Sequence, residues 1–256
     1  MIGKSTTKLI NSLALKKYRS KENSFLVEGD KMVKEALDSD LKIKLLVVTD
    51  QFLSRYPVSQ NDAERIIETD AKELKKVSLL QHPQNSLAVC EIPKKPVFPN
   101  SLPEGLSIYL DGIQDPGNMG TIVRICDWYG IQHVLCSPDS VDLYNPKVIQ
   151  ASMGSFSRIK LHECDFDELA GLAQKAEAPL FGAFMNGDNI YRKKLPRQAV
   201  LVMGNEGNGI RPEVEKFITD KLSIPNFSEN EIKAESLNVS VATAILCSEF
   251  KRAYSK

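Results

Sequence analysis

The sequence predicts an α/β protein: a small α/β unit over residues 1–93, then a mostly parallel sheet covered by helices on both faces over residues 106–256. Three observations carry this prediction. Strand-length apolar runs alternate with helically spaced segments throughout the second half, and that alternation calls for parallel pairing. The segment EIPKKPVFPNSLPEG holds four prolines and marks a linker at 94–105 between two bodies. Three strands of the second half run into polar loops that open helices, and in open α/β sheets ligands bind at that edge.

In the first unit the pattern predicts a helix near 5–18, a strand near 24–28, a helix near 29–38 and a strand within LKIKLLVVTD. A weaker helix, Ala71 to Val77, and a strand, Ser86 to Cys90, complete it. Beyond the linker, strands are predicted at 107–111, 133–137, 179–184, 198–203 and 222–224. The helices between and after them fall near 119–129, 146–153, 165–177, 211–218 and 236–253. No internal repeat or low-complexity tract interrupts the pattern.

The first junction is SIYLDGIQDPGNMGTIVRICDWYG. Ile108 to Leu110 end at the turn formers Asp111-Gly112 and Asp115-Pro116-Gly117. Asn118 is read as the N-cap of the next helix, its side-chain oxygen accepting a first-turn N–H. Ile122, Ile125, Cys126 and Tyr129 then follow helical spacing, which puts Arg124 and Trp128 on one face beside the apolar stripe. On this segment alone a structural arginine paired with Asp127 or Glu206 is the better reading.

The second junction follows the apolar run Val200 to Val202 with MGNEGNGIRPEVEKF, whose glycines let backbone approach a ligand closely or adopt positive φ. Its spacing is neither the dinucleotide fingerprint nor a P-loop, and a tight strand-to-helix connection is the default. The third junction runs from Leu222–Ile224 through Pro225 and a polar loop to a helix starting near Ser236-Leu237-Asn238. Val239, Ala242, Ile245, Leu246 and Phe250 form the buried stripe of that helix. Ordinary capping chemistry would also place Ser, Asn and Glu there.

Together, in this order, the three junctions resemble the three motifs of the SpoU-type (TrmH-like) RNA 2′-O-ribose methyltransferases of the SPOUT superfamily. The matching pieces are Asn118 to Arg124, M-G-N-E-G-x-G, and I-P with S-L-N-V-S-V-A-T-A, and the likeness covers about residues 107–254. KYRSKENSFLVEGDKMVKEAL, from Lys17 to Leu37 as matched, is similar to the small substrate-binding domain that precedes the catalytic domain in many members. One departure is the long loop Asn226-Phe227-Ser228-Glu229-Asn230-Glu231 after Ile224-Pro225, where members usually have I-P-M-x-G and a shorter gap. Loop contacts to the methyl donor are therefore not carried over.

The resemblance implies a C-terminal trefoil knot, bound S-adenosylmethionine, a homodimer whose active site uses both subunits, and an RNA-binding amino-terminal domain over 1–93. The methyltransferase domain would span 106–256. It implies transfer of a methyl group to a ribose 2′-hydroxyl, in ribosomal RNA in preference to tRNA, with an antibiotic-resistance role as a narrower form. Arg124 would clamp the phosphate beside the target ribose and stabilise the forming alkoxide; a role as general base conflicts with a guanidinium that stays protonated. Asn118 would orient Arg124 or the ribose, Glu206 would hold the cofactor loop or the arginine, and Ser236 and Asn238 would donate hydrogen bonds. Met203, Gly204, Asn205, Ile224, Pro225 and Leu237 would line the cofactor, with the backbones of Gly204, Ile224 and Leu237 facing the adenosyl group. The alternatives are a knotted RNA- or ribosome-binding factor without catalysis and a binder of another nucleotide.

Composition limits the classes further. Formal net charge is zero and the apolar fraction is 42%, which suits packed cores and argues against a protein that coats nucleic acid indiscriminately. Residues 1–95 nevertheless hold 17 Lys and Arg against 13 Asp and Glu, and the first 21 residues carry six cations and no anion. Lys16, Lys17, Arg19 and Lys21, with Tyr18, are read as a phosphate-facing edge, although a solvated helix face would look similar. Five cysteines without C-x-x-C spacing or nearby histidines indicate neither disulfides nor a zinc site, and no metal is expected. His82, His133 and His162 lie outside the motifs. No run reaches membrane-span length and the start lacks a signal-peptide core, so a cytoplasmic location is expected.

Overall fold

The computed structural model describes residues 2–94, 100–230, 232 and 234–254. Part of the predicted linker, residues 95–99, lies outside the described residues. The chain forms two compact units, residues 1–94 with 142–158, and residues 95–141 with 159–256.

The first unit begins with α1 (Lys4–Ser12) and α2 (Lys16–Glu22), where the sequence pattern suggests one helix; the chain breaks between them over residues 13–15. Asn23, in the left-handed region at φ 44°, ends α2 and turns the chain into β1 (Ser24–Glu28). Then follow α3 (Asp30–Leu37), β2 (Ile43–Val48), α4 (Asp50–Arg55), β3 (Ile66–Glu68), α5 (Ala71–Val77) and β4 (Ser86–Glu91). The sheet order is β1-β4-β2-β3; β4 is antiparallel to both neighbours and β2 is parallel to β3. Ile10, Leu13, Leu26, Leu45, Val47, Leu74 and Val89 pack as one core layer. On the other side of β1, the Phe25 ring meets Tyr144 at 4.7 Å and Phe156 at 5.9 Å, both from the segment 142–158.

This unit corrects one candidate residue. Lys16, Lys17, Tyr18 and Lys21 are exposed on α2, but Arg19 is 2% exposed. Its guanidinium donates to the carbonyls of Leu13 and Ala14 at 2.8 and 2.9 Å and to Asp142 at 2.8 Å. Arg19 therefore holds this unit together instead of facing phosphate, because an unpaired guanidinium could not be buried there.

The second unit contains β5 (Leu106–Asp111), α6 (Pro116–Trp128) and β6 (His133–Cys136). After α7 (Pro146–Ser152), which belongs to the first unit, it continues with β7 (Lys160–Glu163), α8 (Phe166–Lys175) and β8 (Leu180–Asn189). It closes with β9 (Ala199–Gly204), α9 (Pro212–Glu215), β10 (Asp220–Ser223) and α10 (Val239–Arg252). All five neighbouring strand pairs in the order β10-β8-β9-β5-β6-β7 are parallel. Lys221 and Leu222 pair with Gly182 and Asp188, so residues 183–187 bulge from β8. Alternation along the strands feeds two layers. Tyr109, Val200 and Val202 pack with Leu169, Leu172 and Val214 on one side. Ile108, Leu110 and Leu201 are fully buried on the other, where α10 packs against α6 and β9.

Candidate active site

The carboxyl ends of β5 and β9 and the amino ends of α6 and α10 meet at one place in the second unit. β5 ends in Asp111, which is fully buried, and Gly112 takes φ +73° as the chain leaves the sheet. The Gly112 N–H donates to Ser137 Oγ at 2.8 Å. Asp115 caps α6: its carboxylate accepts the Asn118 N–H at 2.8 Å, and Pro116 takes the first helical position. Asn118 is therefore a first-turn residue and not the N-cap expected from the sequence. The missed signal was Asp-Pro, a cap followed by a residue whose fixed φ suits the first turn.

With the cap supplied by Asp115, the Asn118 side chain is available for other partners. Its Nδ2 donates to Glu206 Oε1 at 3.0 Å, and its Oδ1 accepts from Asn238 Nδ2 at 2.9 Å. Asn238 in turn caps α10, its Oδ1 accepting the N–H of Ser240 at 2.9 Å and that of Val241 at 3.4 Å. Glu206, Asn118 and Asn238 thus form a hydrogen-bonded line through all three junctions, and its direction fixes the amide orientation of each asparagine.

The glycine-rich loop that presents Glu206 is held from inside. Asn205 and Gly209 exchange backbone hydrogen bonds at 2.9 Å in both directions, and Asn205 Oδ1 accepts the N–H groups of Gly207 and Asn208 at 2.9 and 3.1 Å. Asn205 Nδ2 reaches across to the Gly112 carbonyl at 2.7 Å. A Cβ on Gly204 would lie 2.3 Å from the backbone carbon of Gly209, so only glycine lets this loop close on its strand. Asn205 is therefore engaged in building the loop.

Other candidate residues are placed differently. Arg124 is exposed on α6 and makes no hydrogen bond or ion pair with a described residue, so neither Asp127 nor Glu206 holds it. It stands six residues after Asn118, off the face that Asn118 presents. Ser236 is exposed and joins no hydrogen bond among the described residues.

Met203 and Gly204 are buried at the end of β9, Ile224 and Pro225 are half-buried after β10, and Leu237 is exposed before α10. The backbone groups of Ile224 and Leu237 make no hydrogen bond with a described residue. Apolar side chains beside open backbone donors and acceptors suit a heterocycle with a polar edge, so these residues fit the adenosyl part of the expected methyl donor. The loop beyond Pro225 is braced by Asn226 Nδ2 donating to the Ala234 carbonyl at 3.1 Å and leaves Phe227 exposed. Among the described residues no group of three or more His, Cys, Asp or Glu is placed to hold a metal ion. Cys90 and Cys247 are buried, and burial pushes their thiols up to about 12.

Comparison with known proteins matches residues 105–248 to the SpoU rRNA Methylase family and residues 4–88 to the MRM3-like substrate binding domain. Over 236 residues, 91% of each chain, the sequence is 30% identical to the 23S rRNA (guanosine(2553)-2′-O)-methyltransferase RlmP of Bacillus subtilis. The fold is similar to that of a putative RNA methyltransferase of the TrmH family from Porphyromonas gingivalis. That match has TM-score 0.85, 40% identity and coverage of 98% and 99% of the two chains. It is also similar to an AdoMet-bound rRNA methyltransferase from Sinorhizobium meliloti, with TM-score 0.86, 26% identity and coverage of 100% and 97%.

Proposed function

Because the chain belongs to the SpoU rRNA methylase family, we propose that it methylates a ribose 2′-hydroxyl of ribosomal RNA with S-adenosylmethionine as donor. The observation that carries this reading is the Glu206–Asn118–Asn238 line through the three junctions, with Asn118 on the helix whose Arg124 pairs with no described residue. A purely structural arginine would be paired, and helix capping accounts for Asn238 alone, not for the side-chain hydrogen bonds that Asn118 makes with Asn238 and with Glu206.

When bound, S-adenosylmethionine supplies a methyl sulfonium, an electrophile that is already activated. The protein's task is to place the ribose oxygen in line with it and to stabilise negative charge as the hydroxyl loses its proton. Arg124 offers a planar fork of N–H donors to the phosphate beside that ribose and keeps its charge throughout. Asn118, fixed in one orientation by Glu206 and Asn238, presents its amide to the sugar. Met203, Gly204, Ile224, Pro225 and Leu237 hold the adenosyl group, Asn205 keeps their loop closed, and Ser236 donates to donor or ribose.

Further parts of the reading are the trefoil knot, the homodimer and a cytoplasmic location. The return of α10 onto α6 and β9 suits a knotted carboxyl end. Trp128 on α6 is 83% exposed and Val241 on α10 is 48% exposed, which suits a second copy covering these helices and bringing its own Arg124 to the site. No described helix is long and apolar enough to cross a membrane. The first unit, with Lys16, Lys17 and Lys21 on its surface, supplies RNA contacts. Methyl transfer from labelled donor to RNA of cells lacking the protein tests the function: labelled 2′-O-methyl nucleosides in the ribosomal fraction are expected. Label confined to transfer RNA, or absent despite donor binding, would overturn it.

A further inference from the structure

The carboxyl edge of the second-unit sheet carries another hollow, of about 310 Å³, that shares no residue with the Glu206–Asn118–Asn238 line. Its buried lining is Tyr109, Ser137, Phe166 and Val214, with Arg211 and Lys216 more exposed. Ser137 Oγ already accepts the Gly112 N–H and pairs with Ser140 at 3.1 Å. The Tyr109 hydroxyl has no such engagement. Its residue is 1% exposed, it lines the hollow, and it makes no hydrogen bond with a described residue. The hydroxyl oxygen is not sealed from water, so the hollow gives it an open side at which a ligand can accept its hydrogen bond. Burial raises the phenol further above its ordinary range, so it stays a donor. The Phe166 ring stands edge-on to the Tyr109 ring at 4.8 Å, which makes this part of the floor aromatic around the Tyr109 hydroxyl.

We propose that this hollow takes an unstacked base of the RNA substrate, close to the methylated nucleotide; the proposal rests on the function inferred above. A heterocycle has apolar faces for Phe166 and Val214 and an edge acceptor for Tyr109, whereas an aliphatic group would leave the hydroxyl unpaired. A free anion would meet the exposed carboxylates of Asp165, Asp167 and Glu213 around the same hollow. Lys216 is placed to meet a phosphate flanking such a base, and single-stranded RNA is read through splayed bases of this kind. The seat is tied to the catalytic loop. Ser137 holds the N–H of Gly112, and Asn205, next to Glu206, holds its carbonyl.

The test compares wild type with Tyr109→Phe, which removes only the hydroxyl, and Val214→Phe, which fills the hollow. Affinity for a ribosomal RNA fragment is read by fluorescence anisotropy, alongside donor affinity and turnover. Tyr109→Phe is expected to weaken RNA binding roughly three- to tenfold, the worth of one hydrogen bond, with donor affinity and turnover at saturating RNA unchanged. Val214→Phe should weaken it at least as much. An abasic substitution at one position near the methylated nucleotide should cost wild type the same factor and Tyr109→Phe nothing more. Equal RNA affinity in wild type and both variants, or losses that add at every abasic position, would overturn the proposal. Absence of methylation in wild type would count against the function itself, while the affinities would still decide the hollow.

Discussion

Asp111 and Arg211, a hundred residues apart, are joined at two points: one carboxylate oxygen accepts the Arg211 N–H at 2.8 Å and the other accepts Nε at 2.7 Å. Asp111 is wholly buried at the end of β5, and Arg211 precedes α9 directly after the glycine-rich loop. The pair therefore fixes the end of β5, from which the chain runs on to Asn118, relative to the loop that carries Glu206. The carboxylate also raises the guanidinium's affinity for its proton.

Replacing Arg211 by alanine leaves a buried carboxylate without its counter-charge. A loss of about 3 kcal/mol is expected, at the low end for a broken buried pair because Arg211 itself is half-exposed. Urea denaturation of wild type and Arg211→Ala measures it, and a change below about 1 kcal/mol would show that water replaces the arginine.

Asn118→Asp puts a second carboxylate against Glu206 where an amide now donates. Turnover should fall roughly a hundredfold, the usual scale for loss of one preorganised polar group. The melting temperature should hardly move, since the hydrogen bonds made by this side chain are exposed ones. A folded variant with wild-type turnover would remove Asn118 from the mechanism.

Arg124→Lys keeps the charge and loses the fork. A fall of about tenfold in turnover is expected, with stability within about 0.5 kcal/mol of wild type because no described residue holds this side chain. Near-wild-type turnover would sink the clamp.

Trp128→Glu places a charge on the apolar surface of α6. Under the proposed dimer, light scattering should report two chains for wild type and one for the variant, and methyl transfer should fall with it. A dimeric and active variant would locate the contact elsewhere.

His133 Nδ1 and His162 Nε2 lie 2.9 Å apart on β6 and β7, with stacked rings. Both have pKa values lowered from 6.5, first by burial, then by Lys160 for His133, and by His133 and Lys160 for His162. Groups lowered on folding contribute stability that is complete above the unfolded value and lost as pH falls below 6.5 through the folded values. Wild type should therefore be less resistant to urea at pH 5.5 than at pH 7.5. His133→Gln should narrow that difference, and an unchanged difference would assign it to other groups.

Much of this was legible in the sequence because the signals are local. The buried runs of β5 and β9 read as strands, and the three junctions stood out because polar residues followed them. β7 did not stand out, since Lys160-Leu161-His162-Glu163 is short, polar and at the sheet edge. α4 and β3 escaped for the same brevity. A sequence shows that Asn118, Glu206 and Asn238 each begin something; it cannot show that they touch, because the contacts span 88 and 120 residues. Arg19 was misread for that reason as well: its neighbours are cations, and its partner Asp142 lies 123 residues further on.

The packing of residues 142–158 with the first 94 also sets an order of events during synthesis. A nascent chain stopped at Lys94 would have every strand of its first sheet. Phe25 would nevertheless lack the rings of Tyr144 and Phe156, and Arg19 would lack Asp142. The amino-terminal unit therefore reaches its final packing only after β5, α6 and β6 have left the ribosome. Translation does not deliver one finished body and then the next.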